Sequence, residues 1–284
     1  WKFRYGLEEA VKLCRFDNAR PAFSFRVNTL RESRESLQEK LAEKGIETHP
    51  SRWSPDGLIC DSLPSLDILV EQFGPDIYIQ DESSMLDAAV LDPQPGERIL
   101  DLCSAPGGKT THLAQKMQDR GEILALDLYD HKLELVRENA HRLGIRCIRT
   151  EKQDGTVFVP EWENGADRVL VDAPCSGLGV LNRRAEARWT KEERSLSQFP
   201  PLQKKILENG ARYVKPGGRL VYSTCTLEQD ENTRVRKWFL ENHPEFVPVP
   251  FPHPLTGESL EELQILPQRD GINGFYLCLF AKRK

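Results

Sequence analysis

Short apolar runs alternate with amphipathic stretches from residue 83 to the end of the chain. Each apolar run suits one buried strand, and each amphipathic stretch repeats its apolar positions with the period of a helix. The predicted strands lie at 98–102, 123–127, 146–150, 169–172, 219–223, 263–266 and 275–281, and the predicted helices at 84–91, 108–118, 130–143, 199–213 and 229–241. This alternation predicts an α/β fold with a doubly wound, mostly parallel, Rossmann-like sheet that binds ligands at the carboxyl ends of its strands.

The residues before this region follow a different pattern. Short β-like runs at 23–27, 58–60 and 77–80 are separated by glycine and proline, and a polar stretch with Leu37 and Leu41 on one face predicts a helix that ends at Gly45. We therefore expect a small α+β domain at 1–82, followed by the larger α/β domain at 83–284.

The composition limits the cellular compartments in which we expect the protein. Seven cysteines, with no C-x-x-C pair and no Cys/His cluster at metal-ligand spacing, favour free thiols in a reducing compartment. No apolar run reaches the roughly 18 residues of a spanning helix, and no leader pattern opens the chain. We expect a cytoplasmic monomer without a metal or a membrane partner, in which four of the thiols are core or incidental residues: Cys14, Cys60, Cys147 and Cys278.

The charge is unevenly distributed. A net charge of -5 argues against bulk electrostatic binding to nucleic acid, so any RNA contact has to come from local basic patches. One patch lies in residues 1–26, and a second surrounds Trp189 with Arg183, Arg184, Arg188, Lys191 and Arg194. For the second patch, two interpretations remain: a solvated helix face or a surface that binds RNA.

A glycine loop follows the predicted strand at 98–102. The run Gly108-Lys109-Thr110 suggests a phosphate-binding loop, but that motif requires a glycine at the position of Cys103. The dinucleotide fingerprint is absent as well. The remaining interpretation is a short loop that precedes a helix and whose glycines let the backbone approach a nucleoside ligand.

Acidic residues follow the next two predicted strands. Asp127 occupies the position from which a carboxylate accepts hydrogen bonds from both ribose hydroxyls of a nucleoside. Together with the loop, it predicts S-adenosylmethionine as the cofactor, with a ligand-free turn at Gly107 and Gly108 as the alternative. Asp154 suits either a contact to the adenine amino group or a loop cap.

Two cysteines follow two further predicted strand ends, in Asp172-Ala173-Pro174-Cys175 and in Ser223-Thr224-Cys225. A thiolate that adds to C6 of a pyrimidine turns C5 into an enamine carbon able to accept a methyl group. Asp172 would stabilise the adduct through the N3/N4 edge of the base. Two cysteines suggest that one attacks and the other assists release, and their spacing leaves open which is which.

Two other classes are disfavoured. An amino-group methyltransferase would carry a polar-Pro-Pro-aromatic motif where this chain has Asp172 to Cys175. A non-catalytic RNA-binding assembly factor on a methyltransferase scaffold would tolerate loss of the glycine loop, of Asp127 or of either cysteine, and all of them are present.

The three motifs resemble, in order and spacing, those of the Sun/RsmB-type RNA 5-methylcytosine methyltransferases. The resemblance extends to Phe25-Arg26-Val27-Asn28-Thr29 and to Gln80-Asp81-Glu82-Ser83-Ser84, which are similar to the family's N-terminal RNA-binding module and its junction with the catalytic domain. Bacterial RsmB-type proteins usually carry a NusB-like helical domain first, and this sequence begins after the point where that domain would end. The resemblance implies methylation of cytosine C5 in RNA, with small-subunit ribosomal RNA as the expected partner and transfer RNA as the alternative.

The resemblance also assigns roles to single residues. Cys225 matches the nucleophile, and Cys175 matches the cysteine that assists release. The residues that match the S-adenosylmethionine site are Cys103, Ser104, Ala105, Pro106, Gly107, Gly108, Lys109, Asp127, Asp154 and Asp172.

Overall fold

The computed structural model describes residues 1–60 and 66–284. Within these residues the strands form a four-stranded sheet near the N-terminus, an eight-stranded sheet in the rest of the chain, and a two-stranded ribbon. The larger sheet has a parallel centre with helices between its strands, which confirms the predicted α/β fold.

The four-stranded sheet is antiparallel, and its strands follow the order β2-β3-β1-β4. Its strands are β1 Phe23–Val27, β2 His49–Pro50, β3 Gly57–Cys60 and β4 Ile77–Ile79, and the helices of this region are α1 Lys2–Tyr5, α2 Leu7–Asn18, α3 Arg34–Glu43 and α4 Leu66–Phe73. Helix α3 begins where it does because Ser33 Oγ accepts a hydrogen bond from the Ser36 amide.

Helices α1, α2 and α4 lie outside the helices predicted from the sequence. The reason is visible in α2, where Ala10 and Leu13 are buried while Leu7 and Val11 are exposed. The apolar stretch of this helix extends beyond its buried side into solvent, which weakens the amphipathic pattern from which a helix is recognised. The division at residues 82 and 83 stays a prediction.

The eight-stranded sheet has the order β10-β14-β9-β8-β5-β6-β7, and β13 pairs with β14. Its strands are β5 Arg98–Asp101, β6 Glu122–Asp127, β7 Ile148–Lys152, β8 Ala166–Asp172, β9 Val214–Thr224, β10 Phe246–Pro248, β13 Glu262–Ile265 and β14 Phe275–Lys282, while β11 Phe251–Pro252 and β12 Ser259–Leu260 form the ribbon. The helices are α5 Leu86–Leu91, α6 Gly108–Lys116, α7 Asp130–Arg142, α8 Ala187–Thr190, α9 Glu193–Leu196, α10 Phe199–Tyr213, α11 Thr233–Asn242 and α12 Pro267–Asp270, with 3-10 turns at Glu82–Met85 and Pro160–Trp162.

Helices cover both faces of this sheet because its central strands are apolar on both sides. On β8, Leu170 joins the core beneath α5 and α6, whereas Val169 and Val171 join the core beneath α10 and α11. This two-sided burial is typical of parallel sheets.

Two boundaries differ from the prediction for a clear reason. Helix α11 begins at Thr233 rather than at 229, because the Asn232 side chain bonds to Thr224 Oγ1 and to the Thr226 carbonyl. Strand β7 begins at Ile148 rather than at 146, because Asp119 accepts hydrogen bonds from the amides that precede it. At β7 a side chain satisfies amides that a longer strand would otherwise use, and before α11 the Asn232 side chain ties the chain back to the end of β9.

Candidate active site

The glycine loop joins the end of β5 to α6 and lies against the end of β6. The Ser104 amide donates to the Leu126 carbonyl at 2.8 Å, and the Gly107 amide donates to the Ser104 carbonyl at 2.8 Å. Gly107 has φ of 103°, and a Cβ there would lie 3.2 Å from the Val136 Cα. Both the left-handed backbone and the close approach of α7 therefore require glycine at this position.

Asp101, at the end of β5, holds the helix that follows the glycine loop. Its carboxylate is buried at the end of β5 and accepts a hydrogen bond from Thr110 Oγ1 at 2.7 Å. Burial raises the pKa of Asp101 to about 7, although the Thr110 hydrogen bond acts in the opposite direction. This contact ties the first turn of α6 to the strand that delivers the loop.

Lys109 lies between two carboxylates. Its Nζ is 2.8 Å from Asp87 Oδ2, forms an ion pair with Asp172, and sits 4.6 Å from the centre of the Phe275 ring. Burial disfavours the ammonium, but the two carboxylates outweigh this and raise the pKa of Lys109. Burial raises the pKa of Asp87 to about 6 even with Lys109 beside it. The Lys109 ammonium is therefore held charged next to Asp172.

Cys175 and Cys225 come together although 50 residues separate them, with their Sγ atoms 3.3 Å apart. Strands β8 and β9 are parallel neighbours that pair Asp172 with Ser223, so the segments following them leave the sheet side by side. The hydrogen bond from Cys175 lowers the pKa of Cys225, against burial and the charge of Asp172. The same contact and burial raise the pKa of Cys175. The opposite directions of these two pKa shifts favour a Cys225 thiolate that accepts a hydrogen bond from the Cys175 thiol.

Buried polar contacts hold the segment that carries Cys175. Glu231 Oε2 accepts hydrogen bonds from the Ser176 amide at 2.9 Å and from Gln203 Nε2 at 2.8 Å. Gln203 also donates to the Pro174 carbonyl at 3.0 Å. Residues on both sides of Cys175 are therefore anchored to α10 and to the turn before α11.

Two glycines allow the same segment to approach the end of β9. The Gly179 amide donates to the Cys225 carbonyl at 3.0 Å, and the Gly274 amide donates to the Gly179 carbonyl at 2.8 Å. A Cβ on Gly179 would lie 2.9 Å from the Cys225 carbonyl oxygen, and one on Gly274 would lie 2.9 Å from the Gly179 Cα. The contact between the two segments leaves no space for a side chain.

Asp127 and Asp154 lie at the carboxyl ends of β6 and β7, as predicted. Asp127 accepts hydrogen bonds from the Ala105 amide at 3.4 Å and from the Tyr129 amide at 3.1 Å. Asp154 Oδ1 accepts hydrogen bonds from the amide and the hydroxyl of Thr156, which is the loop-capping alternative. A contact from either carboxylate to a nucleoside stays a prediction.

A cavity of about 300 Å³ connects the loop with the cysteines. Of the predicted site residues, it is lined by Cys103, Ser104, Ala105, Pro106, Gly108, Lys109, Asp172 and Cys225. Gly107, Asp127 and Cys175 are not among its lining residues, although each contacts or adjoins one that is. Asp154 does not line the cavity, and its hydrogen bonds go to residues outside the lining. The structure therefore brings Cys225 and most of the glycine loop into one space.

Sequence reasoning missed two residues of this site: Asp87 lies behind Lys109, and Phe275 packs on Lys109. Arg184, which the sequence assigns to the second basic patch, also lines the cavity. A charged residue at a position where a short helix is otherwise apolar was the available signal for Asp87. No local pattern marks Phe275, because it reads as one more apolar residue of a buried strand.

The second basic patch is tied to the N-terminal region. Arg183 forms an ion pair with Asp81 at 2.7 Å, and Arg188 Nη1 donates to Asn18 Oδ1 at 2.8 Å. Arg184 is exposed and, in the part of the chain that the structure describes, takes part in no ion pair, whereas Trp189 is 86% exposed. Lys191 and Arg194 are exposed as well, so these four residues of the patch face solvent.

The described residues contain no helix that is long and apolar enough to cross a membrane. In the same residues, no group of three or more His, Cys, Asp or Glu side chains is arranged to hold a metal ion.

Comparisons with known proteins bear on this fold and site. Residues 88–281 match the family described as 16S rRNA methyltransferase RsmB/F, and residues 1–66 match the ferredoxin-like domain of RsmF/B-like methyltransferases. A probable ribosomal RNA small subunit methyltransferase B of Bacillus subtilis (strain 168) is 38% identical over 292 residues, which cover 100% of this chain and 65% of the relative. A tRNA (cytosine(72)-C(5))-methyltransferase of Mus musculus is 39% identical over 229 residues, which cover 73% of this chain and 46% of the relative.

A solved structure agrees with the sequence matches. The crystal structure of a methyltransferase homologue from Pyrococcus horikoshii is 32% identical, with a TM-score of 0.82 over 98% of this chain and 92% of that one. The sheet order, the glycine loop and the paired cysteines therefore define a Rossmann-like, S-adenosylmethionine-dependent methyltransferase fold. The chain belongs to the RsmB/F methyltransferase family, which confirms the resemblance of its motifs. It spans 65% of the length of the Bacillus subtilis relative.

Proposed function

We propose that the protein transfers a methyl group from S-adenosylmethionine to C5 of a cytosine in RNA, through a covalent bond between Cys225 and C6. The observation that carries this proposal is the pair of cysteines, with Sγ atoms 3.3 Å apart, at a cavity that also holds Asp172 and the glycine loop. Neither an amino-group methyltransferase nor a non-catalytic scaffold requires two adjoining thiols there.

The residues present fit the cofactor. Cys103 to Lys109 present a glycine loop along the cavity, and Asp127, Asp154 and Asp172 stand at the ends of the adjoining strands. These residues would hold S-adenosylmethionine, which supplies an electrophilic methyl group when bound. The close approach of backbone at Gly107 and the carboxylate acceptors suit a nucleoside with ribose hydroxyls and a charged amino acid moiety.

Cys225 acts as the nucleophile in this proposal. Its thiolate forms a bond to C6 of the cytosine as the C5–C6 double bond opens, and C5 then takes the methyl group. A base accepts the C5 proton, whose electron pair re-forms the C5–C6 double bond while Cys225 leaves C6 as a thiolate. The lowered pKa of Cys225 supports this role, because the thiolate is the reactive form. Asp172, held by Lys109 and by Ser223 Oγ at 3.1 Å, stabilises the base during the addition.

Cys175 assists release of the product. Its raised pKa keeps it protonated beside Cys225, so that its thiol can donate to the departing sulfur. A thiolate stabilised in this way is a better leaving group.

The proposed substrate is small-subunit ribosomal RNA, in line with the name of the Bacillus subtilis relative. Transfer RNA is the second candidate, because the Mus musculus relative is described as a tRNA methyltransferase. Bisulfite mapping of 5-methylcytosine in cells with and without the gene distinguishes them. Loss of a mark from one RNA class identifies the substrate, and unchanged marks in both classes contradict the proposal.

The two cysteines should fail in different ways. We expect Cys225→Ala to bind RNA and transfer no methyl, and Cys175→Ala to accumulate a covalent protein-RNA species that survives a denaturing gel. The double variant should accumulate none. Cys147→Ala, which removes a partly buried thiol outside the site, is the matched control and should behave as the wild type.

The reverse outcome has a defined meaning. If Cys225→Ala accumulated the covalent species and Cys175→Ala did not, the nucleophile would be Cys175. If neither variant lost methyl transfer, the covalent mechanism would be wrong.

A further inference from the structure

Arg26 is a buried arginine in the middle of the small N-terminal sheet. It lies on β1, and its side chain is 0% exposed. The guanidinium leaves its own sheet and reaches α6, where it donates to the Gly108 carbonyl at 2.6 Å, to Thr111 Oγ1 at 2.8 Å and to Gln115 Oε1 at 2.5 Å. A strand of one sheet thus contacts the helix that opens at the glycine loop of the other.

The partners of this guanidinium are unusual for a buried charge. Besides the three groups on α6, it donates to Gln80 Oε1 and lies 5.0 Å from the centre of the Tyr78 ring. Among the described residues, every one of these acceptors is neutral, and burial lowers the pKa of Arg26 to about 9. Asp56 acts on Arg26 through its charge but accepts no hydrogen bond from it. A buried arginine that donates to no carboxylate is costly to fold, which argues that its position serves more than adhesion between two surfaces.

The contacts of Arg26 are concentrated on the first turn of α6. Thr111 Oγ1, which accepts from Arg26, donates in turn to the Gly107 carbonyl at 2.7 Å. Arg26 therefore restrains the carbonyls of both loop glycines, Gly108 directly and Gly107 through Thr111. Gly108 lines the cavity of the candidate active site.

From this geometry we propose that Arg26 is a positioning residue for S-adenosylmethionine binding, and that the N-terminal sheet completes the cofactor loop from behind. This inference rests on the proposed function. The Gly107–Gly108 backbone has the conformation that the cofactor requires only while the guanidinium holds its carbonyls. Arg26 thereby contributes to the cofactor site without lining the cavity, whereas residues of the N-terminal region from Tyr78 to Asp81 line it directly.

Asn28 provides a matched control on the same strand segment. It is buried as well, and its Nδ2 donates to the Pro75 carbonyl at 2.8 Å and to the Leu143 carbonyl at 2.9 Å. The Leu143 contact crosses between the same two parts of the molecule but ends behind α7 rather than on α6. Loss of the Asn28 side chain therefore weakens the contact between the N-terminal region and the larger domain but does not affect the glycine loop.

The test uses the full chain and measures the Kd for S-adenosylmethionine by calorimetry, with the Tm of each variant. We expect Arg26→Met to raise this Kd at least tenfold, Arg26→Lys to restore part of the affinity, and Asn28→Ala to leave the Kd within twofold of the wild type even where its Tm falls. In steady-state assays the KM for S-adenosylmethionine should rise in Arg26→Met while the KM for RNA stays unchanged.

Thr111→Val keeps the inference testable if Arg26→Met does not fold, because it removes only the hydroxyl between Arg26 and Gly107, and it should also raise the Kd. Equal Kd values for Asn28→Ala and Arg26→Met, or a wild-type Kd in both Arg26→Met and Thr111→Val, would overturn the inference and leave the proposed function standing. A wild-type protein that binds no S-adenosylmethionine would overturn both.

Discussion

Adding one methyl group at Gly179 should separate the two cysteines. A Cβ there would lie 2.8 Å from the Gly274 carbonyl carbon and 2.9 Å from the Cys225 carbonyl oxygen, and both are backbone atoms. Since ordinary contacts begin near 3.5 Å, the segments have to move apart by roughly 0.6 to 1 Å. We therefore expect Gly179→Ala to change the distance between Cys175 and Cys225.

The loss of stability in Gly179→Ala follows from the contacts that this movement breaks. The hydrogen bonds of Gly179 with Cys225 and with Gly274 are each worth about 1 kcal/mol, and overpacking costs a further 1 to 3 kcal/mol, roughly. The free energy of unfolding, measured by urea denaturation, should therefore fall by about 3 to 5 kcal/mol. A misplacement on the order of 1 Å at the reacting groups should lower kcat about 100-fold, measured as transfer of labelled methyl to RNA.

Gly177→Ala is the control for backbone strain. Gly177 has φ of 73°, but a Cβ there would meet no atom within 4 Å. It should lose about 1 to 2 kcal/mol of stability through the left-handed conformation alone and keep kcat within a few fold of the wild type. If Gly179→Ala matched Gly177→Ala in both measurements, close backbone contact would not set the position of the cysteines.

Three further outcomes test other parts of the site. Asp127→Ala should weaken S-adenosylmethionine binding by roughly 1.5 to 3 kcal/mol in calorimetry, the value of a charge-assisted hydrogen bond, and unchanged affinity would remove Asp127 from the site. Arg184→Glu should weaken RNA binding and reduce its salt slope by about 1 or more, and an unaltered slope would make Arg184 an ordinary surface residue. Cys175→Ala should raise the pH at which iodoacetamide alkylates Cys225, because the hydrogen bond that lowers the pKa of Cys225 is lost; an unshifted profile would contradict that cause.

Much of the larger sheet could be predicted, because its helices and strands carry strong and regular periods. Helix α10 has the predicted bounds of 199–213, since Pro200 in its first turn and a wide apolar face mark it clearly. The glycine loop was equally predictable, because its residues follow one another along the chain. Features that depend on neighbouring residues in the sequence, such as this helix and this loop, were therefore predicted correctly.

Contacts between distant segments could not be predicted in the same way. The sequence marks Cys175 and Cys225 as strand-end residues, but only the neighbouring positions of β8 and β9 bring them within 3.3 Å. Arg26 and Asp87 look like irregularities in apolar elements, because their partners lie 82 and 22 residues further along the chain, at Gly108 and Lys109. The role of a charged residue whose partner is distant in the sequence can be assigned only when the fold shows where that partner lies.

The position of β14 has a consequence for the order of folding. β14 follows every other strand of the larger sheet in the chain, yet it pairs with β9 from Tyr276 opposite Thr224 to Ala281 opposite Arg219. Before this pairing forms, β9 has an open edge and Lys109 lacks the Phe275 ring. Such non-local pairing is slow to form, and open edges promote association of unfinished chains. The strand that precedes Cys225 therefore acquires its full support only when the last strand has docked, so a nascent chain carries both thiols before it has a finished site around them.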